Sequence, residues 1–373
     1  MFFPVLLALL LATFDPIHAS NCKKPHFEKC SCGITDYLGN KQYVVNCTDT
    51  GYTNASMLQY LPDETQVLIY TGNFISELPW NLFGNDYSHD RLKIVDLSNN
   101  RIKTIRGKTF HHVRNVERLI LNYNQINLAF TGEHPRLFSN FENLEALHLT
   151  NAFNTSWTSY ENFALDLGEI FRNSNLTKLE KLHLEQNQIL NFETDPLLFC
   201  ELKNLMDLHL GNNNLTHIKF KFACLERLRY IDFHANKITN LNENDRHLLD
   251  ALPQRNQSLI IDVSENPLSC DDIDSLYDWF HDTKVTIQSK EKIQCKPEPM
   301  IGVTQELRVA RVEANGSSGT VTFLSIALCM SLLALLYTNR EPIRNTVYPY
   351  VLSLSRNIQY TTIGRSEAQE MDV

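Results

Sequence analysis

Seven times along the chain an apolar residue, a gap, a second apolar residue, two gaps, an asparagine, a gap and a third apolar residue recur. The regular copies are Val95, Leu97, Asn100, Ile102; Leu119, Leu121, Asn124, Ile126; Leu182, Leu184, Asn187, Ile189; Leu208, Leu210, Asn213, Leu215; and Ile231, Phe233, Asn236, Ile238. Ile261, Val263, Asn266, Leu268 close the series, and Leu68, Tyr70, Asn73, Ile75 open it in degraded form. The alternating apolar pair reads as a short strand with one buried face, and the remainder as a turn. The asparagine is expected to point inward and hydrogen-bond the turn backbone, because an unpaired buried amide or carbonyl is costly. No single coil can bury its apolar face alone, so the coils are expected to stack into a solenoid with a broad concave surface.

This pattern resembles the leucine-rich repeat. The resemblance implies an α/β-type solenoid with parallel strands on the concave face and irregular or short helical segments on the convex side. Phe110, Phe138, Phe199 and Phe222 each stand six residues before a strand-side apolar residue (Val116, Leu144, Leu205, Leu228), which predicts a phenylalanine column on the convex side. The asparagine spacing runs 27, 24, 63, 26, 23 and 30 residues. The long gap holds one deviant coil, Leu144, Leu147, Leu149, with Ala152 in the asparagine position. An irregular insert over 152–175 follows, and two readings of it are open: a loop near the ligand, or a tolerated glycosylated loop.

The ends set the location. Residues 1–19 read as a secretory signal peptide. Val321–Tyr337 is an uncharged apolar run of 17 residues, followed by Arg340 and Arg344. That predicts a transmembrane helix over 320–338 with a cytoplasmic tail at 339–373. A cleaved lipid-anchor signal would end with the apolar run, whereas 36 residues follow it here. A Gly/Ser stalk over 313–319 precedes the span, so the chain reads as a single-pass type I plasma-membrane protein. Seven Asn-x-Ser/Thr sequons, at Asn46, Asn54, Asn154, Asn175, Asn214, Asn256 and Asn315, all fall on the outer side of that span. The net charge of −9 is distributed, with no basic patch for nucleic acid.

Eight of the nine cysteines lie between signal and span, an even number suited to disulfides in an oxidising compartment. Cys22, Cys30, Cys32 and Cys47 form an N-terminal cap over 20–61 ahead of the repeats at 62–268. Their spacing leaves three connectivities open, and zinc binding with His26 is the competing chemistry. A C-terminal cap over 269–312 carries Cys270 and Cys295 as its one available bridge, with Asp272 where such caps usually hold another cysteine. Trp279 is expected to be the buried anchor of the cap helix. Cys200 and Cys224 occupy nearly equivalent places one coil apart, close enough for a bridge, with two buried thiols as the alternative.

The residue between the paired apolar positions should face the concave side. That row reads Asp96, Ile120, His148, His183, His209, Asp232 and Asp262. The next outward row reads Ser98, Asn122, Thr150, Glu185, Gly211, His234 and Ser264. Three histidines on consecutive coils, with Glu185 and His234 alongside, form a ladder with neighbours about 5 Å apart, and this is the candidate ligand face. Joint protonation of the ladder at endosomal pH would be repulsive and would weaken a ligand contact. Three imidazoles could also ligate zinc, yet the ladder reads as ordinary polar face residues, and no metal or cofactor is expected.

No catalytic constellation is present: Gly107-Lys-Thr109 lacks the first glycine of a phosphate loop, and Asp271, Asp272 and Asp274 read as a solvated helix start. A binder is expected, either a signalling modulator that engages an extracellular protein ligand or co-receptor, or a cell-cell adhesion molecule. In the tail, Tyr348-Pro-Tyr-Val351 and Tyr360-Thr-Thr-Ile363 match an endocytic-adaptor pattern, and Met371, Asp372 and Val373 suit a PDZ groove.

Asn175-Leu-Thr-Lys-Leu-Glu-Lys-Leu-His-Leu-Glu-Gln-Asn187, the irregular stretch from Leu149 to Leu184, the cap from Asn266 through Trp279 to Cys295-Lys-Pro, and the Asp-Val ending together resemble the trophoblast glycoprotein family. That resemblance implies a plasma-membrane glycoprotein that dampens Wnt/β-catenin signalling through co-receptor availability and affects adhesion. Likeness to capped extracellular repeats also implies the pairs Cys22–Cys32 and Cys30–Cys47.

Overall fold

A computed structural model describes residues 22–295 apart from 86–87, 129–135, 155–161, 175, 253–257, 270–272 and 294. All of them fall in the first of two compact units, Met1–Met300. The expected signal peptide, stalk, span and tail lie outside the described residues. Among the described residues no helix is long and apolar enough to cross a membrane.

The repeat pattern becomes an eleven-stranded sheet. In chain order the strands are β1 (Ser31–Tyr37), β2 (Asn40–Asn46), β3 (Val67–Ile69), β4 (Glu77–Leu78), β5 (Ile94–Asp96), β6 (Thr104–Ile105) and β7 (Arg118–Ile120). There follow β8 (Ala146–His148), β9 (Lys181–His183), β10 (Asp207–His209), β11 (Tyr230–Asp232), β12 (Ile260–Asp262) and β13 (Thr286–Gln288). β4 and β6 pair with each other alone, and the rest form the large sheet in chain order. β1 and β2 make an antiparallel hairpin, and from β2 onward every pairing is parallel.

The central residues of the repeat strands, Leu68, Val95, Leu119, Leu147, Leu182, Leu208, Ile231 and Ile261, are all completely buried. Beneath them the asparagines form a second ladder. Asn187 donates from Nδ2 to the Leu184 and Leu149 carbonyls and accepts the Ala152 N–H, while its own N–H goes to Asn213 Oδ1. The same arrangement joins Asn73 to Asn100 and Asn100 to Asn124. At the break, the Ala152 carbonyl itself accepts the Ile126 N–H that an asparagine would otherwise take, and Ile126 bridges Phe153.

The residue before each asparagine position adopts left-handed backbone, with φ of 68° at Gly72, 55° at Asn99, 54° at Tyr123, 47° at Asn151, 58° at Gln186, 54° at Asn212, 50° at Ala235 and 58° at Glu265. Only one of these is glycine, so the other coils hold a costly conformation through their neighbours.

Most of the described part of the insert is helical. Residues 163–172 form helix α1 (Phe163–Arg172), which buries Phe163, Ala164, Leu167, Ile170 and Phe171 in the core. It packs against the convex 3₁₀ turn Leu198–Glu201 of the next coil. Arg172 reaches Asp195 at 2.6 Å, and Gly168 sits so close that an added Cβ would stand 2.1 Å from Asp195 Oδ2. The phenylalanine column is present but segmented. Phe110 stacks on Phe138, whereas Phe199 meets Phe192 and Phe220, and Phe222 joins through Phe220.

Helix α2 (Glu243–Ala251) is capped by Asn242, whose side chain accepts the Asp245 N–H. In the C-terminal cap, helix α3 (Ile273–Asp282) is anchored by Leu276 and Phe280 instead of Trp279. Trp279 is half-buried because its indole N–H reaches out to Asp250 Oδ2 at 2.8 Å, an amphipathic placement suited to a cap rim.

Candidate functional site

Parallel register aligns the predicted row without a slip. Asn46, Ile69, Asp96, Ile120, His148, His183, His209, Asp232, Asp262 and Gln288 are successive partners across ten neighbouring strands. Within it the histidines stack face to face. The His148 and His183 rings are 4.2 Å apart and 10° from parallel, and His183 and His209 are 4.1 Å apart at the same angle. Tyr230 closes the stack against His209 at 5.2 Å.

The ladder is far less exposed than an outward-pointing row implies. His148 and His209 are buried, and the His183 side chain keeps only 12% of its surface. Ring-on-ring packing on a concave sheet shields each imidazole with its neighbours. Burial, then the charges of His183, Arg118, His209 and Lys181, drive the His148 imidazole well below its ordinary value. That shift opposes the joint protonation expected of the ladder.

Glu185 is the ladder's anion. Its Oε1 lies 3.0 Å from His183 Nδ1 and 3.9 Å from His209 Nδ1, and Oε2 accepts the Thr150 hydroxyl at 2.7 Å. Burial raises the Glu185 carboxyl, but His183, His209 and the Thr150 hydrogen bond outweigh it and hold it down to about 2. Asp232 behaves oppositely. Burial raises it, the His234 N–H and His209 offset part of that, Glu185 and Asp262 add to it, and it is pushed up to about 6. His234 does not join the stack and instead faces Glu265 at 3.4 Å. Asp96 and Asp262 accept from Ser98 and Ser264, each holding its own turn.

Two residues toward the strand starts, the same face carries Ile94, Arg118, Ala146, Lys181, Asp207 and Tyr230 in register. There a groove of about 460 Å³ opens between the cap hairpin and the repeats, lined by Lys41, Lys93, Glu117, Arg118, Glu145, Glu180 and Lys181 among others. Burial, with Glu117 and Glu180 nearby, raises the Glu145 carboxyl. The sequence reading missed this groove, because its charges sit just outside the Leu-x-Leu frame. The alternation of Lys93, Glu117, Arg118, Glu145, Glu180 and Lys181 ahead of successive strands was the available signal.

The cap cysteines pair as Cys22–Cys32 and Cys30–Cys47, and Cys200 bonds Cys224. Cys295 is disulfide-bonded, while Cys270 lies outside the described residues. Of the sequons, Asn54 is exposed and Asn46, Asn154 and Asn214 are half-buried; Asn175, Asn256 and Asn315 lie outside the described residues. At Asn46 and Asn54 the side-chain oxygen accepts the sequon hydroxyl of Thr48 and Ser56.

A parallel sheet of one short strand per coil, an inward asparagine ladder and a disulfide-bridged N-terminal cap define a leucine-rich repeat protein. The family model described as Leucine rich repeat matches residues 66–126, 90–152 and 177–238. Within that class the chain is similar to trophoblast glycoprotein of Macaca fascicularis, 26% identical over 310 residues, which cover 77% of this chain and 71% of that protein. It is also similar to lumican of Coturnix japonica, 31% identical over 161 residues, covering 42% of this chain and 41% of lumican. The crystal structure of human trophoblast glycoprotein, also described as Wnt-activated inhibitory factor 1, shares the fold with a TM-score of 0.58 at 23% identity, covering 72% of this chain and 92% of that one.

Proposed function

We propose that the chain is a non-enzymatic cell-surface glycoprotein whose concave face binds an extracellular protein ligand or co-receptor. The mixed-charge groove beside the histidine ladder carries this reading. Alternating Lys93, Glu117, Arg118, Glu145 and Lys181 suit a partner with complementary charges of both signs, where complementarity fixes register and rejects wrong partners. The described name of the human structural relative, Wnt-activated inhibitory factor 1, supports a negative role in Wnt/β-catenin signalling as the specific output. In this reading residues 320–338 anchor the chain in the plasma membrane, and Met371, Asp372 and Val373 recruit a PDZ protein inside the cell. The tyrosine motifs at Tyr348 and Tyr360 recruit an endocytic adaptor.

The test displays the full chain on cells and scores a Wnt reporter together with cell-cell aggregation. Reporter suppression that is lost in the charge reversals Arg118→Glu and Lys181→Glu is the expected result. Aggregation without suppression would replace the modulator by an adhesion molecule.

A further inference from the structure

The ladder has the chemistry of a metal site. Register sets His183 beside His209, and Glu185, two residues past His183 on the same coil, turns its carboxylate to both. One ligand atom from each of the three lies within 4.8 Å of the others. Donors bound to tetrahedral zinc at about 2.0–2.2 Å stand roughly 3.3–3.6 Å from one another. The 3.0 Å and 3.9 Å separations bracket that range. Both rings must swing out of their 10° stack, because a metal lies in the plane of each imidazole that binds it.

Gly211 is the second, independent observation. It occupies the place of Glu185 one coil on, and an added Cβ there would stand 2.5 Å from Asp232 Oδ2. The missing side chain makes room for the Asp232 carboxylate next to His209, its register partner. Two imidazoles and two carboxylates are thus gathered on three successive coils.

We propose that His183, Glu185 and His209 bind a zinc ion on the concave face, with Asp232 alongside as the second compensating charge. Two nitrogen donors and a carboxylate suit zinc over calcium or magnesium, which prefer all-oxygen shells. Three protein ligands leave one position open, where a water or a carboxylate of a protein partner can enter. This departs from the sequence reading, which expected no metal, and it does not depend on the receptor reading.

The test uses the full chain, stripped of metal with a chelator and titrated with zinc against a chromophoric indicator. One zinc per chain is expected, with affinity falling more than about tenfold in His183→Gln, His209→Gln and Glu185→Gln. His247→Gln, on an exposed histidine of α2, should bind as the parent does. X-ray absorption of the zinc-loaded parent needs no variant to fold and should show imidazole scattering in a nitrogen and oxygen shell. Absence of stoichiometric binding, an affinity unmoved by the three variants, or a shell without imidazole would each overturn the proposal.

Discussion

Asparagine is worth more here for its position than for its type. Asn187 is 2% exposed and its side chain serves four backbone groups on two coils. Asn191 makes one surface bond to the Glu193 N–H. Replacing Asn187 by Ala strands buried groups at about 1–3 kcal/mol each, so the variant should lose roughly 3 kcal/mol or more, whereas Asn191→Ala should lose less than about 1 kcal/mol. Paired denaturant melts measure both, and equal losses would show that the ladder is ornamental. The left-handed residues invite a second comparison. Ala235, at φ 50°, carries a steric cost that glycine lacks, so Ala235→Gly should raise the melting point slightly despite its entropy cost in the unfolded chain.

At the level of elements, α1 is where the regular pattern gives way. Its Phe171 is buried and its Gly168 touches Asp195, so Phe171→Ala should cost about 3–5 kcal/mol. Gly168→Ala should force Asp195 away from Arg172, and hydrogen exchange would show the loss concentrated in α1 and the turn at Leu198–Glu201. The strands were legible from Leu-x-Leu-x-x-Asn because that period reports a buried face and a buried amide directly. α1 was not. Its aromatics lie at helical spacing within a stretch read as an irregular insert, and only contact with the next coil shows which side they cover. Likewise the histidine row could be read from alternation, but its burial could not, since ring stacking depends on the spacing between coils. β13 and the β1–β2 hairpin escaped because neither carries the asparagine that marks a coil.

On the scale of the whole molecule, the disulfides and the stacking divide the work. The Cys22–Cys32 and Cys30–Cys47 bridges close the exposed apolar end, while Cys200–Cys224 ties two coils across a separation of 24 residues. Removing that last bridge with Cys200→Ser and Cys224→Ser together should cost about 3 kcal/mol, read as an earlier and broader thermal transition. An unchanged melt would show that coil stacking alone holds this region. The asparagine ladder also has a direction. Asn124 accepts the Asn100 N–H and donates to the Leu97 carbonyl, so the turn of a regular coil is completed by a side chain from the coil that follows it, and at Ala152 by that coil's backbone. A chain leaving the ribosome from its N-terminus therefore never finishes the coil it has just made. Every coil waits on its successor, and the growing solenoid carries one unsealed edge at its newest end until the C-terminal cap emerges.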